Sequence, residues 1–206
     1  SPYQYGANNP VNNIDVNGDS IWYTRNGDIV TMHVTAKIFN NSSDNINMAR
    51  AAKDIVSDIK STYEGKFEWS DNKTYNLKVD MDLKVATSMK DVENSDHLFV
   101  LADSDSKGAR GATSMLGGKV MTLASSDFAN NNWLSNNLSY NKTFTATHEF
   151  GHAIGLSHSQ NPFNIMKQGG VVHNSNSNQR VIMLQQQNNL NNNLVVDIYN
   201  LGLKWR

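Results

Sequence analysis

His148-Glu149-Phe150-Gly151-His152-Ala153-Ile154-Gly155-Leu156-Ser157-His158 is the stretch whose reading decides the fold. Two histidines four apart lie one above the other on a helix face, so both imidazoles reach one ion. Glu149 follows the first of them and sits close enough to act on a water beside that ion. Gly155 falls three residues after His152, where a helix ends in a left-handed residue that glycine adopts at little cost. The chain then turns, and His158 is positioned to add a third nitrogen. Three neutral imidazoles leave a tetrahedral Zn²⁺ one open position, the coordination of a catalytic rather than a structural site. With 6 His and four Glu in 206 residues, these offsets arise by chance in about one such chain in ten thousand.

The same eleven residues carry the complete HExxHxxGxxH pattern and resemble the metzincins, a clan of zinc endopeptidases. That resemblance implies a methionine in a tight turn beneath the metal, and Asn164-Ile165-Met166 follows eight residues after His158. Met166 read alone is equally core filling. It implies Zn²⁺ held by His148, His152 and His158, with Glu149 as general base in the hydrolysis of a protein or peptide substrate. Some branches place a tyrosine two residues past the methionine; Gln168 stands there, so no tyrosine role is assigned. The expected fold is α+β: a twisted mixed sheet with two helices above the cleft and a small C-terminal helical lobe below.

Around this centre the chain divides by its pattern. Thr74 to Ala86 alternates Tyr75, Leu77, Val79, Met81, Leu83 and Val85, a period of two and hence a half-buried strand. Lys78, Asp80, Asp82 and Lys84 on its other face read as cross-strand charge pairs. His97 to Ala102 is a continuous apolar run, expected as a central strand. Ile21 to Thr24, Asn26-Gly27 and Ile29 to Phe39 read as a hairpin around a type I′ turn. Met48, Ala49, Ala52, Ile55, Val56, Ile59 and Tyr63 have helical spacing, with Ser43 or Asp44 as the cap and Gly65 as the stop. Gly117 to Leu123 is a further strand, the last before the histidine helix. By the resemblance, Gly118, Lys119, Val120 and Met121 are expected as the sheet edge that pairs with substrate backbone. Gln179 to about Leu190 is expected as a helix, and Leu194 to Tyr199 as a strand or helical extension.

Asp103 and Asp105, two apart in a glycine-bearing loop, are a Ca²⁺ candidate. The loop lacks the further acidic ligand of a full calcium motif, which favours an ordinary surface loop. His33 and His97 fall within or at the start of strands and read as structural; His173 lies where a substrate pocket would be lined.

Net charge is −1 and the pI about 6.6, which points to neither nucleic acid nor an anionic membrane. No apolar run is long enough for a membrane-spanning helix. Cysteine is absent, which excludes disulfides, thiolate zinc ligands and thiol catalysis.

Residues 1–18 are dense in turn formers and read as a loop or tether. Tyr3, Tyr5, Asn8, Asn9, Pro10, Asp15 and Gly18 resemble the closing segment of the RHS-repeat core of bacterial surface and toxin proteins; Val16 replaces that family's usual proline. This resemblance implies a secreted or cell-surface module that is part of a larger precursor, and in such proteins the module is often a toxin effector, which an immunity-type inhibitor protein would accompany. The expected organisation is therefore 1–18 as the end of the RHS-like segment and 19–206 as the peptidase domain. Within that domain an upper lobe would span about 19–158 and a lower lobe about 159–206. Two other readings stand beside it: an inactive zinc-bearing recognition module, against which the retained Glu149 argues, and a peptidase with no toxin role.

Overall fold

The computed structural model describes residues 20–103, 111–129, 143–169 and 174–186. The RHS-like segment, Asp105 of the calcium candidate, Trp133 and Leu134, His173 and everything after Gln186 lie outside the described residues. The elements are β1 (Ile21–Asn26), β2 (Ile29–Asn41), α1 (Met48–Tyr63), β3 (Gly65–Glu68), β4 (Thr74–Ala86), β5 (His97–Ala102), β6 (Gly111–Thr113), β7 (Val120–Ala124), α2 (Phe144–Ala153) and α3 (Ser177–Gln186). This is an α+β chain with one mixed sheet of seven strands, ordered β3-β4-β2-β5-β7-β6, with β1 also paired to β2.

The thirteen-residue β2 organises the sheet. Along one side it runs parallel to β4 from Ile29↔Asn76 to Phe39↔Ala86. Its other side is shared: β1 pairs antiparallel with Ile29 to Val34, and β5 pairs parallel with Ala36 to Asn41. At the handover Thr35 N donates to Ser20 O at 2.8 Å. β5 is buried on both faces, as a continuous apolar run requires. Phe99 and Leu101 enter the main core with α1 and α2, while Leu98 and Val100 join Phe39, Ala86 and Val120 on the opposite face.

β4 alternates as expected through Met81 and then opens to solvent at Val85, 40% exposed. The hairpin turn differs from the expectation. Asn26 pairs with Ile29, so the loop residues are Gly27 and Asp28. Only Gly27 has positive φ, +63°, and glycine at the first loop position is the II′ pattern rather than I′. The cap of α1 is Asn47, whose side chain accepts from Arg50 N at 3.0 Å. Asp44 is engaged elsewhere, accepting from Ser125 Oγ at 2.6 Å. α1 buries Ala51, Ala52, Ile55, Ile59, Thr62 and Tyr63, and Ala49 stays exposed.

One expectation about the site is overturned here. Gly118, Lys119, Val120 and Met121 are not a free sheet edge, because β7 is bonded on both sides. It is parallel to β5 through Leu98↔Val120 and antiparallel to β6 through Thr113↔Met121. Lys119 O accepts Leu98 N at 2.8 Å and Val120 O accepts Ser114 N at 3.1 Å. Lys119 is itself buried, its Nζ donating to Asn94 O at 3.0 Å. Among the described residues the outermost strand on this side is β6, too short to register as a hydrophobic pattern.

Candidate metal centre

α2 carries His148, Glu149 and His152, and its end is built to bring His158 back to them. Gly155 N donates to His152 O at 3.0 Å and Leu156 N to Gly151 O at 2.8 Å. These are the two bonds of a Schellman turn, with Gly155 at φ +89° in the left-handed position. The turn also aims Leu156 O at His152, whose Nδ1 donates to it at 2.7 Å. His148 Nδ1 donates to Ile165 O at 2.7 Å. A carbonyl accepts only from N–H, so both rings carry their proton on Nδ1 and turn a bare Nε2 inward.

The ligand nitrogens of His148, His152 and His158 all lie within 4.8 Å of one another. Nε2 of His152 and Nε2 of His158 stand 3.1 Å apart. Ligands ~2.05 Å from a tetrahedral Zn²⁺ stand about 3.3 Å apart, so the His152–His158 separation already suits zinc and the cluster as a whole is of a size to close on one ion. Burial pushes His152 down to about 4, with His148 and His158 adding to the effect and the bond to Leu156 opposing it. It is therefore neutral, as a ligand must be.

The floor is made by the Asn164–Met166 turn. Asn164 Oδ1 accepts from Met166 N at 2.9 Å, and Met166 O accepts from Ser159 N at 2.8 Å. The Asn164 amide pairs both ways with Gln179 of α3, at 2.8 and 2.9 Å. Met166 is fully buried against Gly151. A Cβ at Gly151 would sit 2.3 Å from Met166 Sδ and 2.5 Å from Tyr63 Oη. Tyr63 Oη donates to Thr147 O at 2.9 Å, and Thr147 Oγ1 to Asp58 Oδ2 at 2.9 Å, so α1 braces α2 from behind. Burial drives the Tyr63 phenol well up, with Asp58 and Glu149 adding to it, so it stays a donor.

Glu149 is 7% exposed. Desolvation raises its carboxyl above the usual range, opposed by the hydrogen bond from Thr113 and by His148. An open cleft of about 320 Å³ beside it is lined by Thr113, Met115, Leu116, His152, Ser157 and His158. Gly117 N donates to His152 O at 2.8 Å, which ties the cleft wall to α2.

The family model described as Matrixin, peptidase family M10, matches residues 22–189. The chain belongs to the matrixin family. The family is one of zinc metallopeptidases, and the cluster of His148, His152 and His158 is of a kind that could hold that metal. No curated protein matches. Among solved structures the chain is similar to metalloproteinase-II from Bacteroides fragilis, at 15% identity and TM-score 0.42, over 73% of this chain and 52% of that one. It thus spans about half the length of that protein. Archaemetzincin from Archaeoglobus fulgidus, complexed with malonate, is 14% identical with TM-score 0.37, over 81% of this chain and 99% of that one. Archaemetzincin from Methanopyrus kandleri is 14% identical with TM-score 0.38, covering 82% and 97%.

The structure brings His148, Glu149, His152, His158, Gly155 and Met166 of this matrixin into one site and leaves His33 and His97 out of it. His33 lies on the sheet face, its Nε2 2.8 Å from Thr24 Oγ1, its Nδ1 3.0 Å from Asp80 Oδ2, and its ring stacked on Trp22. His97 is buried, bonded to Ser20 Oγ, and its imidazole is pushed down to about 3 by desolvation and by Lys119. Sequence reasoning missed Thr113, Gly111, Gly151 and Arg180. Arg180 of α3 donates to Tyr63 O and Glu64 O, each at 2.9 Å, locking α3 to the end of α1. Gly151 was the most readable of these, since a glycine inside a helix asks for a packing reason.

Proposed function

We propose that this matrixin is an endopeptidase that cleaves protein substrates by Glu149-assisted attack of water. The carrying observation is a buried carboxylate on the same helix as two of three converging histidines, hydrogen-bonded to Thr113 of the cleft wall. His148, His152 and His158 would hold the zinc through a nitrogen each. Zn²⁺ bound there supplies a Lewis acid that acidifies water and polarises a carbonyl. Glu149 takes the proton from the attacking water and delivers it to the departing amine nitrogen. The outer side of β6, last in the sheet order among the described residues, offers its backbone to an extended substrate. A pure zinc-binding module has no need of a buried glutamate here.

The delivery reading belongs to the same proposal. The RHS-like residues from Tyr3 to Gly18 support a module released from a larger surface or secreted protein, acting as a toxin and neutralised by a small inhibitor protein. A neighbouring gene whose product blocks the purified chain would support it; a chain harmless to cells that lack that gene would sink it.

The peptidase reading is tested by metal analysis and proteolysis on one preparation. The expected result is about one zinc per chain and cleavage of unfolded proteins that falls about 10²–10⁴-fold in Glu149→Ala with zinc retained. Equal inactivity of both proteins with zinc in place would favour the recognition module instead.

A further inference from the structure

We propose that Thr113 is the positioning residue that holds Glu149 for its role as base. This rests on the peptidase reading above and adds to it a residue outside the histidine motif. Thr113 Oγ1 lies 2.7 Å from Glu149 Oε2 and 2.9 Å from Glu149 O. A hydroxyl has one hydrogen. Beside a carboxylate that hydrogen goes to Oε2, because the charged acceptor makes the stronger bond. This ties one carboxylate oxygen down and leaves Oε1 to take a proton from water.

The approach that allows this bond comes from Gly111. Residues 111 and 113 of β6 project to the same side, since strand side chains alternate. A Cβ at Gly111 would sit 2.4 Å from Thr145 Cγ2 and 3.0 Å from Glu149 Cγ. The absent side chain at 111 lets β6 lie against α2, and the hydroxyl at 113 then reaches the carboxylate. Gly-Ala-Thr is thus a poor strand sequence with two of its three residues committed to α2. Its inner edge is spent on β7, with Ala112 opposite Thr122. Its outer edge is the one the substrate would use. A single three-residue strand therefore aligns both the substrate backbone and the base that serves it, and a shift in one carries to the other.

The test compares Thr113→Val, of nearly the same shape without the hydroxyl, with Thr113→Ser, which restores it. Losing one hydrogen bond to a charged group predicts a fall in kcat of about 10- to 100-fold in Thr113→Val. KM and zinc content should stay at wild-type values, the melting temperature should fall by only about 2–4 °C as the buried carboxylate loses one partner, and Thr113→Ser should recover most of kcat. An unchanged kcat in Thr113→Val, a change in KM alone, or no recovery in Thr113→Ser would overturn the inference. A wild-type chain that holds zinc yet cuts nothing would sink the peptidase reading. In that event crystal structures of zinc-loaded wild type and Thr113→Val still decide the positioning role. Glu149 should keep one rotamer in wild type and spread over several in the variant, and a single shared rotamer would refute it.

Discussion

The two helices that meet at Tyr63 and Thr147 are specified in opposite ways. α1 has sixteen residues, a side-chain cap at Asn47, an exposed i,i+4 pair between Arg50 and Asp54, and one buried face. Its own residues cap its start and set which side turns inward. α2 has ten residues, no side-chain bond at its N-terminus, and eight of the ten buried. At that length an isolated helix is marginal in water, where about 12–15 residues are needed. Its positions are spent on ligands, on a base and on a glycine that clears Met166. α2 is therefore helical because of what surrounds it. The difference teaches that a metal-binding helix trades local preference for chemistry and borrows its stability from its neighbours.

Removing zinc should break α2 before α1 and give the largest effect. A ligand at a thousand times its Kd stabilises the folded state by about 4 kcal/mol, and stripping it with a chelator forfeits that amount. Amide exchange on the stripped protein should accelerate across Phe144–Ala153 more than across Met48–Tyr63. Equal acceleration of both helices would remove the distinction. Next in size is Gly151→Ala. Helix propensity alone predicts a gain of about 1 kcal/mol for this change. The new Cβ would meet Met166 Sδ and Tyr63 Oη at 2.3 and 2.5 Å, and overpacking of that kind costs about 1–3 kcal/mol. Chemical denaturation should show a net loss. Ser57→Ala on the exposed side of α1 should instead show the small gain, about 0.5 kcal/mol, that propensity predicts.

This contrast also governs what was legible in the sequence. His148, His152, His158 and Gly155 could be read because ligand spacing and a helix stop depend on positions along one segment. β4 could be read to its ends because alternation is local. β6 could not, since three residues carry no period, and its place at the sheet edge depends on β7 turning its other side to β5. For the same reason Thr113 was invisible: it meets Glu149 across 36 positions of chain. The cap of α1 was misplaced onto Ser43 or Asp44 although Asn47 directly precedes Met48, the first residue in helical register. Asp44 is held instead by Ser125, a partner 81 positions away. The hairpin turn slipped by one residue because both Asn26-Gly27 and Gly27-Asp28 are good turn pairs, and the register of Ile29 against Asn26 decides between them.

A change at the far end of α1 separates the helices most cleanly. Asn47→Ala removes the bond to Arg50 N and should cost about 1 kcal/mol, a fall of about 2–4 °C in melting temperature for a chain of this size. Asn47→Asp should recover it, since a carboxylate caps as well and also suits the positive end of the helix dipole. Zinc content and peptidase rate should not change in either variant. α1 rises ~1.5 Å per residue, so its cap lies about 24 Å from Tyr63, the residue that braces α2. A loss of stability at the cap frays the first turn and leaves the Tyr63 bond to Thr147 O in place. If instead the peptidase rate falls along with the melting temperature, the two helices form one cooperative unit, and the independence of α1 from the metal centre is wrong.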